Sequence, residues 1–432
     1  MTSTTPNGDK SLQRQYWAFY WPLALTGAVG VIAVQFQNGV LARYPEAATE
    51  LAIYALALGV YGLFNAALNF VPQLMTKFAR NDDARRVTLR FVIALAALFA
   101  AVVELVGQTS FGAWLLGTVF GIDDVLLARV LGYLCLLAPV LVLTGIRLAF
   151  VGLLVQQRLT GRVTLLNAAY LGATVGLLLT GLALDLDATP VLVLAQAGAA
   201  ALHACLAGLV VWRHPPLATD PDVPNVRRLV SFFVPVATTG VMFAISRPVL
   251  YAFVARMPEG VVSIAALRIG FDFTFFFQQA SNQFRHFFVT FGLDDLPGKR
   301  RFMAWVTLGI TASMLAVALT PLGDLFLREA LGVEGAVMSR ARDVILVMTL
   351  LPAIIIVRNY FHGILMVEER TAGMALGGVL RVTLIAGLGA GLSILGWLDH
   401  VLAAWALLAG FAIETWTVWR QARRGPTLSS GV

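Results

Sequence analysis

Apolar runs long enough to cross a bilayer recur along the whole chain, and no other feature limits its possible folds so severely. Twelve of them, near 16–41, 49–74, 87–108, 125–154, 163–184, 190–212, 228–255, 261–291, 302–322, 338–366, 371–396 and 400–420, are separated by short polar loops. A helix of about 20 apolar residues spans the hydrocarbon core. In lipid the backbone must satisfy its own hydrogen bonds, which leaves helices or closed barrels, and runs of this length are helical. The sequence therefore predicts an all-α, polytopic membrane protein. Composition agrees, because 59% of the 432 residues are hydrophobic and only 13% charged, against about 25% in a soluble domain. No polar segment is long enough to bury a separate core, which excludes a soluble enzyme carried on one anchor.

The basic residues set the topology. With the N-terminus inside, the inside segments collect Arg85, Arg86, Arg90, Arg227, Arg228, Lys299, Arg300, Arg301, Arg420, Arg423 and Arg424, among others. The outside loops hold Arg43, Arg256 and Arg328. This bias predicts a multi-pass inner-membrane protein with both termini cytoplasmic. It also accounts for the net charge of +7 without nucleic acid. No cleaved signal peptide is expected.

A proline-rich linker, 213–227, divides the chain into two halves. The expected organisation is a tail 1–15, an N-lobe 16–212, the linker, a C-lobe 228–420 and a tail 421–432. The halves repeat. Phe19-Tyr20-Trp21-Pro22 aligns with Phe232-Phe233-Val234-Pro235 at an offset of 213, which Pro139 and Pro352 share; Arg147 and Gly152 align with Arg358 and Gly363 at an offset of 211. Six spans per half give copies of the same orientation, related by an axis along the membrane normal, with a ligand expected between them near the midplane.

Charge inside the spans is the chemical signal. Arg147, Arg247, Arg268, Arg285, Arg358 and Arg381 lie there, against Asp272, Glu414 and, nearer an edge, Glu104. Unpaired charge in lipid is costly, so such residues face a partner, water or a ligand. Arg247 precedes Pro248 and has no acid in its own span, and a kink is expected there. The functional reading is a cavity for a multivalent anion gripped by guanidinium forks. The bland readings are that Arg268 pairs with Asp272 one turn away, that Glu414 neutralises Arg381 or Arg358, and that arginines near span ends snorkel. Arg381 reads as structural.

The eighth span carries a polar stripe that includes Arg268, Asp272, Gln279 and Asn282. It either faces the cavity or serves as interhelical hydrogen bonding. The substrate-binding candidates are thus Arg247, Arg285, Arg358, Arg147, Arg268, Gln279 and Asn282. Gln35, Gln37, Asn38, Asn65, Asn69 and Gln73 either extend the cavity or act as interhelical glue. There is no phosphate-binding glycine loop and no metal-ligand spacing among the histidines or with Cys135 and Cys205. No cofactor is expected; Asp272 and Glu414 are the carboxylates that could couple H⁺ or Na⁺. Among the histidines only His362 is placed for chemistry, as in a membrane acyltransferase.

The repeated six-span halves and the Trp-Pro-Leu-Ala-Leu-Thr stretch (21–26) resemble the superfamily of multidrug, oligosaccharidyl-lipid and polysaccharide exporters. More closely, Tyr20–Thr26, Ile245-Ser246-Arg247-Pro248 with Arg256, Arg285, Val357-Arg358 with Gly363, and Leu408-Ala409-Gly410-Phe411 with Glu414 resemble the progressive ankylosis protein family. That resemblance implies a monomeric exporter of small polyanions, such as citrate-like carboxylates, pyrophosphate or nucleotides such as ATP, working by alternating access. It marks Arg247, Arg285 and Arg358 as the family arginines. Gln35 stands where animal members carry an acid, and Arg147 and Arg268 have no arginine counterpart there. A lipid-linked glycan flippase or a cation-coupled multidrug antiporter is the alternative within transport.

Overall fold

The computed structural model describes residues 6–41, 43–44, 47–120, 124–214, 222–325, 327–328 and 335–429. Gln35 and Asn38 have their side chains outside this description. Among the described residues the regular structure is helical. In chain order the first half holds α1 (Pro6–Leu41), α2 (Ala47–Leu68), α3 (Val71–Phe78), α4 (Asp82–Gln108), α5 (Ser110–Phe120), α6 (Asp124–Gln156), α7 (Thr160–Ala183) and α8 (Ala188–Trp212). The second holds α9 (Val226–Val254), α10 (Gly260–Asn282), α11 (Phe284–Phe291), α12 (Leu296–Leu319), α13 (Pro321–Leu325), α14 (Gly335–Met348), α15 (Leu351–Val367), α16 (Ala372–Ile394), α17 (His400–Arg423) and the short α18 (Pro426–Ser429).

The expected spans coincide with these helices. Among the described residues nine helical stretches are long and apolar enough to cross a membrane, with α14 and α15 counted as one. The other three predicted spans fall on α1, α2–α3 and α10–α11. One detail differs from expectation. Helix α1 begins at Pro6, inside the stretch read as a tail, and proline suits a first helical turn. Helix α9 runs unbroken through Pro235 and Pro248.

The chain forms two compact units, one of residues 25–233 and one of residues 1–24 with 234–432. In the first, α6 packs against α2, α3, α4 and α8; in the second, α14–α15 packs against α10, α11, α12 and α17. Exposed Leu98, Leu165, Leu194 and Ile394 would be a liability in water and are suited to lipid.

The repeat reaches into the backbone. Gly152 and Gly363 both mark a close helix approach: an added Cβ would stand 2.7 Å from the Met75 side chain in one unit and 2.4 Å from Phe288 in the other. Met75 and Phe288 are themselves 213 positions apart. Aromatic packing repeats reciprocally. Phe232 lies 5.2 Å from Phe78 within the first unit, and its counterpart Phe19 lies 5.1 Å from Phe291, the counterpart of Phe78, within the second.

Helix ends repeat as well. Arg158 (φ 61°) and Glu369 (φ 58°) end α6 and α15 in the left-handed region, as Asp185 (φ 50°) and Gly396 (φ 69°) end α7 and α16. Each end closes with the same two bonds. Leu186 N donates to Gly181 O (3.1 Å) and Asp185 N to Leu182 O (3.3 Å), while Trp397 N donates to Leu392 O (3.0 Å) and Gly396 N to Ser393 O (3.1 Å). Glycine takes this conformation without the Cβ penalty. Replacing Asp185 by Gly is therefore expected to stabilise the protein and Gly396→Ala to destabilise it, by about 1 kcal/mol each. The check is the melting temperature of the detergent-solubilised protein, which should move in opposite directions for the two variants.

Candidate functional site

Helix α15 places Arg358, Asn359 and His362 within about one turn, all on its buried face. Helix α17 brings Glu414 and α16 brings Arg381 to the same place. Arg358 is 2% exposed, and Arg381 and Glu414 are 0% exposed. Glu414 Oε2 accepts from Arg358 Nη1 at 3.2 Å and also from Arg381 Nη1. One carboxylate thus serves two guanidinium groups, which answers the choice that the sequence left between Arg381 and Arg358.

The two arginines spend their other donors differently. Arg381 Nε donates to Ser246 Oγ (3.2 Å) and Nη2 to the Thr239 carbonyl (3.4 Å), both on α9, so every nitrogen has a partner. Arg358 Nη2 donates to Asn282 Oδ1 and Asn359 Oδ1, each at 3.2 Å, but its Nε is buried with no partner. Asn359 is anchored by donating from Nδ2 to the Ser281 carbonyl at 2.7 Å. Phe411 lies beneath both guanidinium groups, 4.8 Å from Arg381 and 5.6 Å from Arg358.

Arg285 joins this cluster through Asn282, whose carbonyl accepts from Arg285 Nε at 3.3 Å. It lies within electrostatic reach of Arg358 and Glu414. Two guanidinium groups therefore share one carboxylate, and Arg285 bonds to the neighbouring Asn282. His362 is fully buried 3.8 Å from Glu414 Oε1; neither ring nitrogen has a hydrogen-bond partner, and nor does that carboxylate oxygen. Such orphaned buried polar atoms call for water or a ligand.

Arg247 belongs to a different set. Its Nη1 donates to Asp272 Oδ1 at 2.9 Å and its Nη2 to the Phe271 carbonyl at 2.9 Å, both on α10. The acid missing from its own span is supplied by the next. Arg268 reaches the same carboxylate only at 3.8 Å and is largely exposed, so the expected private pair is the weaker of the two. Phe275 lies 5.1 Å from Arg247 and stacks 6.2 Å from Phe243, which lies 5.6 Å from Arg381, so an aromatic pair separates the two arginines. Gln279 is half-buried and offers its carbonyl to Gln283.

Arg147 lies in the other unit, where its guanidinium stands 4.9 Å over the Tyr170 ring with its Nε buried and unpartnered. Tyr170 in turn meets His203 at 6.3 Å, edge to face. His203 is 0% exposed and neither of its nitrogens has a hydrogen bond. These three positions are the repeat counterparts of the first cluster. At the same offset of 211, Arg147 corresponds to Arg358, Tyr170 to Arg381 and His203 to Glu414. Sequence reasoning passed over Tyr170 and His203, and the offset already found for Arg147 would have located them. In the same unit, Gln37 accepts from the Tyr54 hydroxyl and is held as interhelical glue.

No protein-family profile and no curated protein matches the sequence. Solved structures do. The chain is similar to a Vibrio cholerae MATE transporter over 98% of its own length and 99% of that chain, with a TM-score of 0.73 at 14% identity. A eukaryotic MATE transporter matches over 96% and 97%, with a TM-score of 0.72 at 11% identity. The fold is that of the MATE transporters. A MOP superfamily transporter from Pyrococcus furiosus, described as having a binding pocket of reverse polarity that suggests a different function, matches over 98% of each chain with a TM-score of 0.68 at 12% identity. The MATE fold has twelve transmembrane helices in two lobes, the architecture expected here for a multi-pass membrane protein.

The two acids of this MATE-fold protein differ in what they hold. Glu414→Gln leaves two buried guanidinium groups without a counter-charge and is expected to cost about 3–5 kcal/mol. Asp272→Asn, at a pair with the carboxylate about half exposed, is expected to cost below about 1 kcal/mol. Thermal unfolding of both variants in detergent should rank them in that order, and equal losses would contradict the assignment.

Proposed function

We propose that the protein is a transporter of small organic or phosphorylated anions, working by alternating access and exporting its substrate across the inner membrane with both termini cytoplasmic. The carrying observation is the excess of positive charge at the buried cluster, where Arg358 and Arg381 share the single carboxylate of Glu414. An anion is the ligand that such a site favours, and the unpartnered Arg358 Nε is a donor available to it. Arg381 acts as scaffold, since its donors are used within the protein. Arg285, Arg358 and Asn282 contact the anion. Arg147, resting on Tyr170, is a separate anion-binding candidate within the other unit. Arg247 with Asp272 and Arg268 forms the outer set, and Gln279 contributes to the polar face of α10. Glu414 or Asp272 takes up the coupling H⁺ or Na⁺, with His362 as the buried neighbour of Glu414.

A second reading, cation-coupled drug export, draws on a structurally similar protein described as a multidrug resistance transporter. A site for cationic drugs needs spare carboxylate, and here the buried Glu414 is already shared between two arginines. The acyltransferase reading of His362 has no support in its fully enclosed position.

The test is uptake of labelled citrate, pyrophosphate and ATP, and of a cationic dye, into proteoliposomes under imposed H⁺ or Na⁺ gradients. At least one anion should move and the dye should not. Arg358→Gln keeps the Arg381–Glu414 pair and so spares the fold. It is expected to lower anion transport roughly 10- to 100-fold, the worth of one or two charged hydrogen bonds. His362→Ala should be tolerated better. Dye transport without anion transport would overturn the reading.

A further inference from the structure

A groove of about 990 Å³ lies within the second unit, between α12, α15 and the ends of α17 and α18, away from the buried charges. Met303, Leu308, Ile356 and Phe361 make its walls apolar. One end is different: Arg300 and Arg423 stand there, with Trp419 stacked 4.8 Å from the Arg423 guanidinium. Both arginines are exposed, and among the described residues neither has a carboxylate partner. They sit in the most basic stretch of the unit, beside Lys299, Arg301, Arg420 and Arg424.

The dimensions fit a lipid tail. From Arg300 to Thr311 the groove follows α12 for about 16 Å at helical rise, which is roughly half of the hydrocarbon core. The polar end lies near the start of α12 and the end of α17, where a span emerges from the membrane. Basic pockets between transmembrane helices take anionic headgroups, and guanidinium forks match phosphate oxygens. A small free anion would leave the apolar length unfilled.

We propose that this groove holds one anionic phospholipid, its phosphate between Arg300 and Arg423 and an acyl chain laid between α12 and α15. The lipid would brace α15 and α17, the helices that carry Arg358 and Glu414, from their outer side. The site does not depend on the identity of the transported substrate.

The experiment is native mass spectrometry of the full-length protein in detergent, with phosphatidylglycerol or phosphatidylcholine of identical chains added. One phosphatidylglycerol should be retained under activation that strips phosphatidylcholine. The double variant Arg300→Gln/Arg423→Gln should lose about thirtyfold in phosphatidylglycerol affinity, as two surface basic residues imply. Ala304→Trp, which fills the groove from an exposed position and leaves both arginines in place, should also lose the bound lipid. Equal retention of the two lipids by the native protein would mark an ordinary boundary lipid and overturn the proposal. So would an undiminished preference in the double variant, or full retention in Ala304→Trp.

Discussion

A single carboxylate holds much of the second unit in register. Glu414 is fully buried and shared by Arg358 and Arg381, and these two arginines carry the bond outward to α9 through Ser246 and Thr239 and to α10 through Asn282. Five helices thereby meet at one charge. In lipid there is no hydrophobic force to press helices together, so packing and polar contacts decide their association. Desolvating these groups is expensive, and the geometry must be right to repay it. The glycines near the cluster fit that demand: a Cβ at Gly410 would stand 3.1 Å from Arg381 Cγ, and one at Gly377 3.2 Å from Glu414 Cγ.

The two halves have kept their backbone devices and exchanged their chemistry. The glycine contacts at Gly152 and Gly363, the left-handed helix ends and the swapped phenylalanine pairs all recur at nearly one offset. A Cβ at the two glycine contacts, or a shift in register at the others, would disturb them. At the chemical positions only the arginine recurs. Arg358 faces a carboxylate, whereas Arg147 faces an aromatic ring backed by a buried histidine. A guanidinium over a ring is held by a weaker attraction than one on a buried carboxylate, so Arg147 keeps more of its charge available.

The spans were legible in the sequence because hydropathy is a property of each segment alone. The repeat was legible because proline, glycine and arginine stand out against a background of leucine and alanine. The partner of Arg247 was not, because Asp272 lies 25 positions away on another helix and its nearest basic neighbour in sequence, Arg268, offers a local pair that the side-chain directions disfavour. The Arg147 site was half legible. Its arginine was visible, but tyrosine and histidine inside an apolar run read as packing until the offset of the repeat ties them to Arg381 and Glu414.

Unused hydrogen-bonding capacity separates the scaffold from the working groups. Arg381 has every nitrogen bonded within the protein, and such a group can only resist change. Arg358 Nε, Glu414 Oε1 and both nitrogens of His362 are buried and unbonded. A static protein gains nothing from that arrangement, since each orphaned group costs about 1–3 kcal/mol. A transporter of the proposed kind would gain, because groups left short of a partner in one state are those that a cargo or a proton can satisfy in another. The same pattern at Arg147 Nε and His203 in the other unit places such groups on both halves of the repeat.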